Sequence, residues 1–275
     1  MLDEPGLGVI TSNLRREDSM ASLEVHQFPV LADNYGVLLH DRDTGQTAAI
    51  DAADAAAVRR VLGERGWTLT HILVTHHHSD HTDGVLELKQ ACRAAVYGPS
   101  GDTRPIPGLD HPLKGGDQFK FSGHSVHVIF APGHTKGHIV YHLPSQTLAL
   151  VGDVLFSLGC GRVVEGTMAE MWNSLDTLRR LPGETSFYCG HEYTLANARF
   201  ALSVEPGNAA LRARADEVAA LRAKSLPTLP VTIAAERAAN PFLRPESPEI
   251  RKVLGMPDAT DAQIFAELRE RKNRF

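Results

Sequence analysis

Apolar positions in the first two-thirds of the chain fall in short runs bounded by turn residues, the pattern of buried strands. Residues 37–41 and 47–51 read as two strands joined by Asp43-Thr44-Gly45-Gln46. Residues 71–75 (HILVT), 126–131, 147–151 and 186–189 read as further strands. Helical spacing lies between them. One helix is expected over 54–65, begun on a capping Asp and ended near Gly66. Another is expected over 168–181, with Thr167 as N-cap and Pro182-Gly183 as the stop. Strands interleaved with helices argue an α/β class.

Past residue 192 the pattern changes to helical spacing over 194–204, 209–224 and 261–272. In the second of these, Leu211, Ala215 and Val218 recur on one face. The only strand pattern left is 230–234. A domain change is therefore expected near residue 192, with a catalytic domain over 21–192 and a helical one over 193–275.

Composition narrows the classes. The formal net charge is −5 and no run of like charges stands out, so a basic footprint for nucleic acid is not evident. Cys92, Cys160 and Cys189 are widely spaced and odd in number, which fits free thiols in a reducing compartment. No apolar run approaches membrane-spanning length. Residues 1–20 lack the basic start and long apolar core of a secretory signal and read as a disordered extension, with Met20 as an alternative start. A cytoplasmic monomer is expected.

The candidate chemistry begins at Thr75-His76-His77-His78-Ser79-Asp80-His81, directly after the HILVT strand. His76 and His78, at i and i+2 of an extended segment, project the same way and can grip one ion. Asp80 and His81 follow where the chain turns into a helix and can reach a second ion. His77 points away, and it and His138 read as orienting a ligand or as plain packing. His134, Asp153 and His191 each follow an apolar strand and a glycine. Taken singly, Asp153 reads as a helix cap and the two histidines as satisfied loop residues. Together with the first cluster they supply enough ligands for two divalent ions, with Zn²⁺ favoured and Fe or Mn²⁺ also suited.

His-x-His-x-Asp-His, Gly-His, Gly-Asp and Gly-His together resemble the metallo-β-lactamase superfamily. That resemblance implies a four-layer αββα sandwich. It gives His76, His78 and His134 to one ion and Asp80, His81 and His191 to the other. Asp153 bridges them, and Asp80 and Asp153 orient the bridging hydroxide. Finer motifs resemble glyoxalase II: Gly133-His134-Thr135-Lys136-Gly137-His138, Gly159-Cys160-Gly161-Arg162, Cys189-Gly190-His191-Glu192-Tyr193, Asn240-Pro241-Phe242-Leu243-Arg244 and the terminal 268–275. This similarity runs from about Leu23 to Phe275.

It implies hydrolysis of S-D-lactoylglutathione to D-lactate and glutathione, the second step of methylglyoxal detoxification. It also implies glutathione binding by Arg162, Tyr193, Arg269 and Lys272. Arg269 and Lys272 share a helix face, where two cations suit a carboxylate. The family often has Lys where Arg162 stands and Tyr where Val164 stands, so one substrate contact is lost at Val164. Asp83-Gly84 replaces its usual Gly-Gly, at little expected cost. The principal rival reading is an N-acyl homoserine lactonase with similar ligands but no need of the Arg-x-x-Lys helix.

Overall fold

The computed structural model describes residues 23–275; the expectation for residues 1–20 lies outside them. Two six-stranded sheets stack face to face. The first runs in sequence order: β1 (Glu24–Val30), β2 (Asn34–His40), β3 (Gln46–Ile50), β4 (Thr68–Leu73), β5 (Ala95–Pro99) and β6 (His111–Leu113). The second contains β7 (Gln118–Phe121), β8 (His124–Phe130), β9 (Ile139–Leu143), β10 (Leu148–Gly152), β13 (Ser186–Cys189) and β14 (Val231–Thr232), with β14 and β7 at its edges. A two-stranded ribbon, β11 (Leu155–Phe156) and β12 (Gly159–Cys160), stands apart.

Alternation along the strands explains the layering. Val37 and Leu39 of β2 face the second sheet, where Phe121, Val126, Tyr141 and Leu150 complete the inner core. Leu38, between them, faces outward onto α1 (Ala55–Arg65) and α3 (Val85–Cys92), packing with Val58, Leu62 and Leu88. The other sheet turns Val140, Ala149, Val151 and Phe187 outward onto α4 (Met168–Leu178) and the later helices. Strands buried on both faces read as continuous apolar runs, and this is why the sequence shows them that way. The order helix, sheet, sheet, helix is the expected αββα sandwich.

Local signals set the helix ends. Asp54 caps α1 by accepting the Ala57 N–H (3.0 Å), and Gly66 closes it at φ 68°. Thr167 and Glu170 form a capping box on α4. That helix stops at Leu178, short of the expected 181, because the last turn tightens: Arg180 and Leu181 donate to carbonyls only three residues back.

The later region holds α5 (Thr194–Val204), α6 (Ala209–Arg222), α7 (Ile233–Ala239), α8 (Pro248–Leu254) and α9 (Asp261–Arg274). The expected strand over 230–234 is only Val231–Thr232; Thr232 then caps α7 by accepting the Ala235 N–H. No helix among the described residues is long and apolar enough to cross a membrane.

Candidate metal centre and its cleft

The carboxyl ends of β3, β4, β8, β10 and β13 open on one edge of the sandwich. From there the following loops deliver Asp51, His76–His81, His134, Asp153 and His191. Asp80 and His81 sit on the short helix α2 (Ser79–Thr82). Backbone freedom is needed here. Gly152 takes φ 49°, and a Cβ on it would come within 2.7 Å of His138 Nε2. At Gly161 a Cβ would overlap the Asp153 carbonyl oxygen.

The seven expected ligand residues are brought together. Ligand atoms of His76, His78 and His134 lie within 4.8 Å of one another, as do those of Asp80, His81 and His191. Asp153 lies between the two trios. Its Oδ2 is 3.5 Å from His134 Nε2 and 3.3 Å from His191 Nε2, and its Oδ1 is 3.5 Å from His81 Nε2.

Hydrogen bonding fixes which ring nitrogens carry lone pairs. His81 Nδ1 donates to Asp51 Oδ2 (2.9 Å), His191 Nδ1 to Asp33 Oδ1 (3.0 Å) and His134 Nδ1 to the Arg162 carbonyl (2.9 Å). The Thr75 hydroxyl donates to Asp51 Oδ2 (2.9 Å), so its oxygen accepts from His76 Nδ1 (3.0 Å). Each of these four rings therefore turns an Nε2 lone pair inward. His78 offers Nδ1, 3.1 Å from His76 Nε2 and 3.0 Å from His134 Nε2. Two of these three nitrogens are acceptors, and the His78 Nδ1 can bring at most one proton for both.

Two buried atoms make the same point: His81 Nε2 and Asp153 Oδ1 have no hydrogen-bond partner. Such atoms are costly unless something satisfies them. Imidazole nitrogens and carboxylate oxygens in this arrangement fit divalent cations, and the centre is a divalent metal site.

The electrostatics agree. Burial and the neighbouring histidines push His76 well below its ordinary value, and burial lowers His78 and His134, so all three favour the neutral form a metal ligand needs. At His81 burial works the same way, but Asp153, Asp51 and Asp80 outweigh it and push the ring up to about 9. Burial would raise Asp153; His81, His191 and His134 instead hold its carboxyl well below the usual range. This half of the site demands positive charge.

His77 and His138 both stay outside the trios. His77 faces Asp102 and Glu165, and His138 Nε2 accepts the Asp153 backbone N–H at 3.1 Å. Sequence reading missed Asp51, Asp33 and Asn34, which hold the ligands from behind. Asn34 Nδ2 donates to both the carbonyl and Oδ2 of Asp80 (3.1 and 3.2 Å). The one available signal was position, since Asp51 follows an apolar strand just as Asp153 does.

A cleft of about 530 Å³ runs from His78, Asp80 and Asp153 past Phe156, Arg162 and Tyr193 to Arg269 and Lys272. Tyr193 stacks flat on His191, ring centroids 4.7 Å apart. Arg162 is exposed, and Val164, also exposed, lines the wall. Arg269 is no solvated helix end: it is 4% exposed, and its Nη1 donates to the Cys160 carbonyl (2.9 Å) and its Nε to Asn273 Oδ1 (3.1 Å). Lys272 donates to the Ala196 carbonyl (3.1 Å).

Residues 42–191 match the family model described as the metallo-beta-lactamase superfamily, and residues 192–275 match that of the hydroxyacylglutathione hydrolase C-terminus. A hydroxyacylglutathione hydrolase from Methylococcus capsulatus is 51% identical, covering 92% of this chain and 99% of that one. One from Brucella ovis is 52% identical over 92% of this chain and 98% of its own. Among solved structures, the BLEG-1 B3 metallo-beta-lactamase has a TM-score of 0.61 at 22% identity, covering 80% of this chain and 99% of that one. ETHE1 from Myxococcus xanthus has 0.62 at 24%, covering 90% and 98%. At such identities these two speak for the fold alone. Identity over nearly the full length of its relatives, with the two family models matched one after the other over residues 42–275, makes this chain a member of the hydroxyacylglutathione hydrolase family within the metallo-beta-lactamase superfamily.

Proposed function

We propose that this chain hydrolyses the thioester of S-D-lactoylglutathione and related 2-hydroxyacylglutathiones to glutathione and the free acid, the second step of methylglyoxal detoxification. The observation that carries this reading is the single cleft joining the His/Asp centre to Arg269 and Lys272. The catalytic part is assigned to 21–192 and the substrate-binding part to 193–275. The protein acts as a cytoplasmic monomer, where glutathione is abundant.

His76, His78 and His134 would hold one ion, Asp80, His81 and His191 a second, and Asp153 would bridge them; zinc is the favoured metal, with iron or manganese also suited. Such a pair lowers the pKa of water to near neutrality and polarises a carbonyl oxygen. Asp80 and Asp153 orient the attacking water through their carboxylate oxygens. As its oxygen bonds to the thioester carbon, the water gives up a proton and the carbon–sulfur bond breaks. The sulfur leaves as a thiolate: a thiol pKa of roughly 8.5 makes it a good leaving group, so no protein acid is required. Cys160 has no nucleophilic part in this reading: it is buried, burial raises its thiol, and its carbonyl and sulfur face Arg269.

The rest of the cleft grips the tripeptide. Arg269 and Lys272 bind the glycine carboxylate, Arg162 adds a further cation, and the Tyr193 hydroxyl contacts the peptide. Holding this distant end fixes the thioester carbon over the centre.

The test is thiol release from S-D-lactoylglutathione by metal-replete protein, with and without a chelator. Rapid, chelator-sensitive release is expected. A protein that holds two ions yet releases no thiol would sink the reading, and turnover of an N-acyl lactone in its place would identify a lactonase.

A further inference from the structure

Next to the centre lies a buried side-chain cluster with no part in the chemistry above. The His77 ring sits between two carboxylates: Nδ1 lies 2.9 Å from Asp102 Oδ2, close but without hydrogen-bond geometry, and Nε2 is 3.2 Å from Glu165 Oε1. The side chains of His77 and Asp102 are 2% and 1% exposed. Asp102 also accepts the backbone N–H of His77 (2.9 Å) through Oδ2 and that of Gly137 (3.0 Å) through Oδ1. Glu165 accepts the Lys136 N–H (3.1 Å) and the Thr103 hydroxyl (2.8 Å), and its own N–H donates to the His134 carbonyl (3.3 Å). Gly137 packs so closely on residues 101–102 that a Cβ there would overlap the Asp102 backbone.

The connectivity matters more than any one contact. His77 lies between the ligands His76 and His78, while Lys136 and Gly137 follow the ligand His134. Asp102 belongs to neither segment but bonds to both. Glu165, three residues beyond the Arg162 carbonyl that orients His134, bonds to the second segment through the Lys136 N–H and lies 3.2 Å from the His77 ring of the first. The His76–His78–His134 trio is assembled from two segments about sixty residues apart, and in a trio held by loops, affinity depends on partners that fix the ligands' orientation.

We infer that Asp102 and Glu165, with the His77 ring clasped between them, are positioning residues that set the spacing of the His76–His78 and His134 segments and so the cation affinity of that trio. The other trio is anchored mainly elsewhere, by Asp33 and Asn34 and by Asp51, which also reaches His76 through Thr75, but it makes no contact with Asp102 or Glu165. The inference rests on the proposed metal assignment and predicts a selective effect on one of the two ions.

The experiment is a Co²⁺ titration of the full chain after metal removal. Ligand-field bands and competition with a chromophoric chelator resolve the two binding steps, and near-UV dichroism reports folding. The wild type should bind two ions; failure to do so would defeat the metal assignment itself. In Asp102→Ala one step should weaken about 10–100-fold while the other holds. Asp102→Asn keeps the shape and one acceptor oxygen, so its loss should be smaller, and it decides the matter should the alanine variant not fold. Glu165→Gln should weaken the same step. Two unchanged affinities in Asp102→Asn and Glu165→Gln, or equal loss of both, would overturn the inference.

Discussion

Asp51 Oδ2 lies 2.9 Å from His81 Nδ1 and also 2.9 Å from the Thr75 hydroxyl, whose oxygen in turn meets His76 Nδ1. One carboxylate thus fixes the tautomer of a histidine in each trio. It does so from φ 48°, a conformation an aspartate tolerates better than most residues. Asp51→Ala should weaken cation binding at both steps, by about 10–100-fold for the step that depends on His81. Chelator competition checks this; unchanged affinity would mean the rings are held by packing alone.

Arg269→Ala should raise KM about tenfold or more and leave kcat nearly unchanged, because contact with the far end of the substrate is uniform binding. Lysine at this position should restore little, since it cannot both reach the Cys160 carbonyl and present a planar fork. Steady-state kinetics decide; a fall in kcat at constant KM would place the residue's effect at the reacting end.

Asn240 is fully buried and donates to the carbonyls of Phe156 (3.1 Å) and Gly159 (2.9 Å), clamping the ribbon between Asp153 and Arg162. Glu236 supports the same ribbon through Ser157 Oγ and the Leu158 N–H, both at 2.8 Å. Asn240→Ala removes both of these buried hydrogen bonds, at about 0.5–1.5 kcal/mol each. Urea denaturation should register a loss of that order, and a variant as stable as the wild type would refute the clamp.

Glu205 gives a pH-dependent prediction. Burial would raise its carboxyl, but bonds from Arg244, Asn208 and Ser247 hold it below its ordinary 4.5. A depressed folded value means stability present above about 4.5 and lost as pH falls below it toward the folded value. Glu205→Gln should be less stable at neutral pH and lose less as pH falls below about 4.5. Denaturation midpoints across that range test it; parallel curves would assign the acid sensitivity elsewhere.

The clustering of the seven His and Asp residues was legible because each follows a strand at fixed local spacing, which period and turn residues reveal. Asp51 and Asp102 were not, since each works on partners distant in sequence; Asn240 was legible as part of a motif, but not its hold on Phe156 and Gly159, more than eighty residues earlier. Arg269 shows the same limit. Its place on a basic helix end was readable, but its burial depends on the carbonyl of Cys160, 109 residues earlier. At 231–234 a β-branched run is too short for period to separate strand from helix, and the Thr232 cap settled it as a turn into α7.

The pairing of β14 with β13, Phe187 opposite Val231, has a bearing on how the protein is made. The last strand of the second sheet leaves the ribosome only after α5 and α6 have followed β13. Until then the nascent chain presents a bare hydrogen-bonding rim beside Phe187, together with apolar floor that Phe265 and Leu268 will cover only once α9 has been made. The seam at residues 191–192, so clean when the chain is compared with families, is therefore a poor place to divide the gene: a fragment ending there should be rescued only by chaperones or by its missing half supplied in trans.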